Sequence, residues 1–153
     1  MKHLLIAALS IFILASCSND DDRTQVDYSA QNDADIQTYI EENDLNATKT
    51  ESGLYYVIDE QGEGAQPTVN SDVNLAYKGY FLNGAVFDQS DAEGITFNLR
   101  QVIGGWTEGI TYFNEGGSGT LLVPAHLGYG SYNYRSIPGG SVLIFDIELI
   151  AVN

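Results

Sequence analysis

Gln101-Val102-Ile103-Gly104-Gly105-Trp106-Thr107-Glu108-Gly109-Ile110 is the stretch on which the fold turns. A glycine pair disfavours a helix interior, yet Val102, Ile103, Trp106 and Ile110 recur at helical spacing. The stretch therefore predicts a short helix whose apolar side is buried under a sheet. Taken alone, the only tryptophan of the chain reads as a large core residue.

The flanking sequence has a period of two. Leu54-Tyr55-Tyr56-Val57-Ile58 predicts a strand, stopped by the Gly- and Pro-containing turn at 62–67. Val73, Leu75 and Tyr77 alternate along a second strand that continues to Phe81. Asn83-Gly84 is a hairpin signal because both residues tolerate positive φ, and Val86-Phe87-Asp88 starts the returning strand. Further strands are expected at 95–99 and 119–123, followed by a Tyr/Gly-rich loop at 128–140. A last strand at 142–152 places Leu143, Phe145, Ile147 and Leu149 on one face. Strands in meander order with a single inserted helix predict an α+β fold, a twisted antiparallel β-sheet wrapped around one short α-helix.

The 153 residues suit one domain with short appendages, and 44% hydrophobic residues supply a core. Ten of the 21 acidic residues fall between Asp20 and Glu51, so much of the net charge of −15 belongs to the N-terminal segment. No basic stripe offsets it, which excludes nucleic acid as a partner.

At the N-terminus Lys2 precedes a run from Leu4 to Ala15 that is apolar except for Ser10 and too short to span a bilayer. Residues 1–16 read as a signal peptide. Leu14-Ala15-Ser16-Cys17 resembles a bacterial lipobox, which implies cleavage before Cys17 and acylation of that residue, with palmitate among the chains carried. Cys17 is the only cysteine, so disulfides within the chain are excluded. Ser18 resembles the outer-membrane sorting pattern of Gram-negative lipoproteins. Asn19-Asp20-Asp21-Asp22 looks like a surface-export tag or a solvated spacer, which leaves periplasmic and cell-surface placement open. Residues 17–32 read as a flexible acidic tether. Residues 33–49 read as a short helical segment capped by Asp33 or Asp35, with Ile36, Tyr39, Ile40 and Leu45 at near-helical spacing. It either packs on the domain or stays marginal. On this reading, removing residues 17–48 changes stability by no more than about 1–2 kcal/mol.

Familiar nucleophilic constellations have no support. His3 leaves with the signal, so His126 is the only histidine of the processed chain, and a lone histidine at a strand end reads as a satisfied structural residue. Gly116-Gly117-Ser118-Gly119 lacks the lysine and helix of a phosphate loop and reads as a turn. What remains is a set of aromatic and apolar side chains around one acid.

At this point the chain resembles the FK506-binding-protein family of peptidyl-prolyl isomerases, in particular its infectivity-potentiator-like bacterial branch. The motifs are Tyr77-Lys78-Gly79, Gly84-Ala85-Val86-Phe87-Asp88, Gln101-Val102-Ile103-Gly104-Gly105-Trp106, Val123-Pro124-Ala125, Gly128-Tyr129-Gly130, and Ile137-Pro138 leading into Leu143-Ile144-Phe145-Asp146-Ile147-Glu148-Leu149. In order and spacing they cover about residues 50–153, the expected isomerase domain. The resemblance implies a pocket with Trp106 as floor and Tyr77, Phe87, Phe97 and Phe145 as aromatic walls. Val102 and Ile103 contribute apolar wall and backbone groups, and Ile137 closes one side. Asp88 and the Tyr129 hydroxyl are its implied catalytic polar contacts.

Two positions depart from the family. Glu93 stands where a basic partner of the aspartate is common, and the shortened loop after Tyr129 carries Asn133 or Tyr134 where a histidine is common. The resemblance further implies proline-containing polypeptide clients, FK506-type macrolides as ligands, no cofactor or metal, and a monomeric state. Two other readings stand beside it: a docking or chaperone module on the same fold, and a sugar-binding platform made of Tyr129, Tyr132 and Tyr134.

Overall fold

In a computed structural model the structure describes residues 25–153. The predicted signal segment, Cys17 and the 19–22 acidic run lie outside the described residues. Helix α1 spans Ser29–Glu42 and α2 spans Gly104–Gly109, extended by one 3₁₀ turn at Ile110–Tyr112. The strands are β1 (Thr48–Lys49), β2 (Tyr55–Glu60), β3 (Asp72–Tyr80), β4 (Val86–Gln89), β5 (Ile95–Asn98), β6 (Ser118–Val123) and β7 (Leu143–Val152). They form one seven-stranded antiparallel sheet in the order β1-β2-β6-β7-β3-β4, with β5 also on β3. The α+β class and the short central helix are therefore as the sequence predicts.

The order is not a meander. Strand β6 enters between β2 and β7, so β2 and β3 are sequence neighbours that do not pair. The 61–71 connection is tied instead to the turn after α2. Asn114 N–H donates to Gln61 C=O (2.9 Å), and Glu115 N–H donates to Ala65 C=O (2.9 Å). A period of two fixes which residues share a face but says nothing about which strands become neighbours.

Alternation along the central strands separates two cores. Leu121 and Val123 of β6 and Leu143, Phe145, Ile147 and Leu149 of β7 join Trp106, Ile110 and Phe113 on the α2 side. Leu122 and Ile144, one residue out of phase, join Tyr55, Val57, Val142 and Ile36 on the α1 side. The glycines of α2 let it lie close to the sheet. A Cβ on Gly105 would meet Val123 Cγ1 at 2.5 Å, and one on Gly109 would meet Leu121 Cδ2 at 2.7 Å. The glycine spacing that weakens the helix is what seats it on β6.

The N-terminal expectation needs correction. The tether does not run to residue 32, since α1 begins at Ser29, whose N–H donates to Asp27 Oδ1 (2.9 Å). Neither Asp33 nor Asp35 caps the helix. Asp33 faces β1 and β2, accepting the Tyr55 hydroxyl (2.8 Å) and pairing with Lys49 Nζ (2.6 Å), contacts that hold its carboxyl below the ordinary value. Nor is α1 marginal: Ile36 is fully buried, and Tyr39, Ile40 and Leu45 pack around it.

Candidate active site

The α2 side of the sheet opens into a pocket of about 340 Å³ lined by Tyr77, Phe87, Asp88, Phe97, Gln101, Val102, Ile103, Trp106, Tyr129, Tyr134 and Phe145. Trp106, 5% exposed, is its centre. Tyr77, Phe97 and Phe145 stand edge-to-face on the indole with centroids at 5.0, 5.2 and 5.2 Å. Such perpendicular contacts place the electropositive edge of one ring on the electron-rich face of another, fixing ring orientations as well as burying area. Phe87 extends this wall, perpendicular to Phe145 at 5.6 Å. Gly79 makes the pair possible, because a Cβ there would lie 2.8 Å from Phe87 and 2.9 Å from Phe145. Among the described residues the buried Trp106 Nε1–H has no hydrogen-bond partner.

Val102 and Ile103 precede α2, and the Ile103 carbonyl accepts the Trp106 and Thr107 N–H groups (2.9 and 3.0 Å). The wall at Ile103 and the floor at Trp106 are thus set by a single helical turn. Thr107 Oγ1 adds a bond to the Leu99 carbonyl (2.6 Å), tying that turn to the chain leaving β5.

Asp88, on β4, has no basic partner among the described residues. Its Oδ2 accepts the Tyr77 hydroxyl at 2.7 Å and its Oδ1 accepts the Gln89 N–H at 3.0 Å. The hydroxyl of a wall residue therefore stands where an ion pair is implied by the family pattern. Glu93 is not among the pocket-lining residues, and its backbone carbonyl accepts from Asn74 Nδ2 (3.1 Å). Burial first, and then the bond to Asp88, hold the Tyr77 hydroxyl well above its ordinary value. It stays a donor at neutral pH.

Tyr129 sits at the pocket mouth, stacked on Tyr134 with centroids 4.5 Å apart and planes 6° from parallel. The Arg135 guanidinium lies over the Tyr134 ring, 5.4 Å from its centroid. Burial, followed by the Tyr134 and Asp88 charges, raises the Tyr129 hydroxyl above its ordinary value of 10.0, so it too keeps its proton.

One implied wall residue is misplaced. Ile137 does not line the pocket; it is 6% exposed within the main core. An antiparallel bridge, Tyr134 N–H to Ile137 C=O and Ile137 N–H to Tyr134 C=O, both 2.9 Å, pairs the two residues, and it is Tyr134 that lines the mouth. Gln101 also joins the lining, and its place directly before Val102 was the available signal.

His126 lies outside this site, its Nε2 donating to the Ser52 carbonyl (2.8 Å). Among the described residues no group of three or more His, Cys, Asp or Glu is arranged to hold a metal ion. The pocket offers ring faces, one carboxylate and tyrosine hydroxyls: a site that strips water from a planar group and presents hydrogen-bond donors to it.

Comparison with known proteins gives one family. Residues 63–150, more than half of the chain, match the profile of the FKBP-type peptidyl-prolyl cis-trans isomerases. Over 108 residues the chain is 47% identical to the FKBP-type isomerase FkpA of Buchnera aphidicola subsp. Schizaphis graminum, covering 69% of this chain and 43% of that protein. Over 106 residues it is 43% identical to the probable FkpA of Neisseria meningitidis serogroup B, covering 67% and 39%. The chain thus spans less than half the length of these relatives. Among solved structures, FkpA from Escherichia coli superposes with a TM-score of 0.73 at 36% identity, over 82% of this chain and 61% of that one. A peptidyl-prolyl cis-trans isomerase from Pseudomonas syringae pv. tomato superposes with a TM-score of 0.71 at 29% identity, over 85% and 98%.

Proposed function

Because the chain belongs to the FKBP-type peptidyl-prolyl cis-trans isomerase family, we propose that it accelerates rotation about Xaa-Pro bonds in extracytoplasmic polypeptides, using the aromatic pocket over Trp106. The observation that carries this reading is the enclosure of one indole by three perpendicular rings beneath a mouth formed by Asp88 and Tyr129. An Xaa-Pro bond rotates over a barrier of about 18–20 kcal/mol because twisting removes amide resonance. The planar amide is more dipolar than the twisted one, so a ring-lined pocket that excludes water favours the twisted form. A prolyl ring on the Trp106 face fits this space, and Val102 and Ile103 flank it. The Tyr129 hydroxyl, held protonated, donates to the imide carbonyl. Asp88 anchors the Tyr77 hydroxyl and with it the wall next to the floor.

Two substitutions separate this chemistry from stability, because neither residue is core. Tyr129→Phe and Asp88→Asn are expected to remain folded. Each is expected to lower kcat/KM on an apolar-Xaa-Pro peptide about tenfold, or about 1.4 kcal/mol of transition-state stabilisation. In Asp88→Asn the loss arises because a neutral amide accepts more weakly than a carboxylate from Tyr77. Full activity in both variants would remove these two groups from the mechanism; full activity in Phe87→Ala and Ile103→Ala as well would place catalysis outside this pocket and leave the pocket to the docking-module reading. The sugar-platform reading draws less support, since Tyr129 and Tyr134 each cover one face of the other.

Assignment to the infectivity-potentiator-like branch rests on the motif resemblance, and FK506-type macrolides are proposed as competitors for the same pocket. We also propose that Cys17 carries the lipid anchor that places the domain at the outer membrane of a Gram-negative cell. Cys17→Ala should then lose acyl label and leave the membrane fraction. Undiminished label in that variant would contradict the assignment.

A further inference from the structure

Helix α1 does more than cover the second face of the sheet. Asn32, one turn before Ile36, is only 2% exposed, and both ends of its carboxamide reach distant backbone. Oδ1 accepts the Ala125 N–H at 2.8 Å, and Nδ2 donates to the Gly140 carbonyl at 2.9 Å. Between those two residues the Ala125 carbonyl accepts the Gly130 N–H (2.7 Å), and the Gly130 carbonyl accepts the Gly140 N–H (2.9 Å). The four bonds make a closed ring that leaves Asn32, passes through Ala125, Gly130 and Gly140, and returns to Asn32. Tyr129 is the residue directly before Gly130.

We propose that Asn32 is a positioning residue that holds Tyr129 over the pocket by closing this ring of hydrogen bonds at the base of the 125–140 loop. What Tyr129 does there rests on the isomerase reading; the placement itself does not. The ring needs a short side chain that both donates and accepts. An ionised aspartate only accepts, and leucine, with the same branching at Cγ, does neither. Through its single carboxamide Asn32 couples the bond at Ala125 to the bond at Gly140, so one side chain closes the ring. Without the amide, the buried Ala125 N–H and the half-buried Gly140 carbonyl lose their partners, and the loop is free to shift at both ends. Tyr28 supports the same corner: its Cε1 lies where it would be 2.6 Å from a Cβ on Gly140.

The test compares Asn32→Leu with the unsubstituted full-length chain in two readouts. Amide exchange at Gly130 and Gly140 is expected to quicken at least tenfold while amides of Ile144 and Ile147 keep their rates. On an apolar-Xaa-Pro peptide kcat/KM is expected to fall about tenfold, yet less than twofold further when Tyr129 is already phenylalanine, because Asn32 acts through that hydroxyl. Ile36→Ala, which loosens the same helix without touching the ring, should leave kcat/KM of the folded protein within twofold. Should Asn32→Leu fail to fold, Asn32→Ala, whose vacated volume admits a bridging water, is read in the same assays. Unchanged exchange at Gly130 and Gly140 overturns the placement, and full additivity with Tyr129→Phe reduces Asn32 to a stabilising contact. Loss of all activity in the unsubstituted chain would sink the isomerase reading while leaving the exchange result to judge the ring.

Discussion

Trp106→Ala should lower the unfolding free energy by about 3–5 kcal/mol and leave no measurable isomerase activity at temperatures where the variant is still folded. The indole is 5% exposed and touches three perpendicular rings, so its removal opens a cavity between α2 and β7 that rigid neighbours do not refill. One term acts the other way. The indole N–H is buried without a partner among the described residues, and an unsatisfied donor costs about 1–3 kcal/mol, so deleting it offsets part of the loss. Trp106→Phe keeps a ring on the floor while dropping the orphan N–H and part of the buried volume, and should be less destabilising than alanine by at least about 2 kcal/mol. Denaturant unfolding of the two variants checks both values. A loss under about 1 kcal/mol for alanine would mean that Trp106 is not the keystone of this core.

Ile36→Ala should cost about 2–4 kcal/mol, and deletion of the whole α1 segment should cost more. The side chain is fully buried against Tyr55, Val57, Leu122 and Ile144, so its loss leaves a cavity on the second face of the sheet. Deletion also releases Asp33 from Lys49 and Tyr55 and Asn32 from Ala125 and Gly140. This outcome is opposite to the independent domain that the acidic N-terminal composition suggests. A deletion variant with an unchanged unfolding midpoint would restore that simpler picture.

The difference between those two expectations shows what the sequence carries. Strands β3 and β7 were legible because each lays alternate residues on α2, and α2 was legible through its glycines because the apolar residues kept helical spacing. The start of α1 was not legible, since it is fixed by a carboxamide bonded to backbone 93 and 108 positions away, contacts that leave no periodic trace. The pocket floor and aromatic walls came from motifs. The exchange of Ile137 for Tyr134 at the mouth came from one bridge inside a loop, where side-chain facing depends on local pairing. The replacement of an ion pair by the Tyr77 hydroxyl depends on β3 and β4 register, Gly79 opposite Asp88, which composition does not encode.

The central claim is that the pocket over Trp106 turns Xaa-Pro bonds, and the direct measurement is NMR exchange between the cis and trans forms of an apolar-Xaa-Pro peptide in the presence of the full-length chain. The account predicts that interconversion, tens to hundreds of seconds unaided, becomes fast enough for exchange cross-peaks at catalytic amounts of protein, and that the Trp106 indole resonance shifts as peptide is added. Binding that shifts Trp106 while interconversion stays at its unaided rate would contradict it, and the pocket would then be a docking site for proline-containing segments.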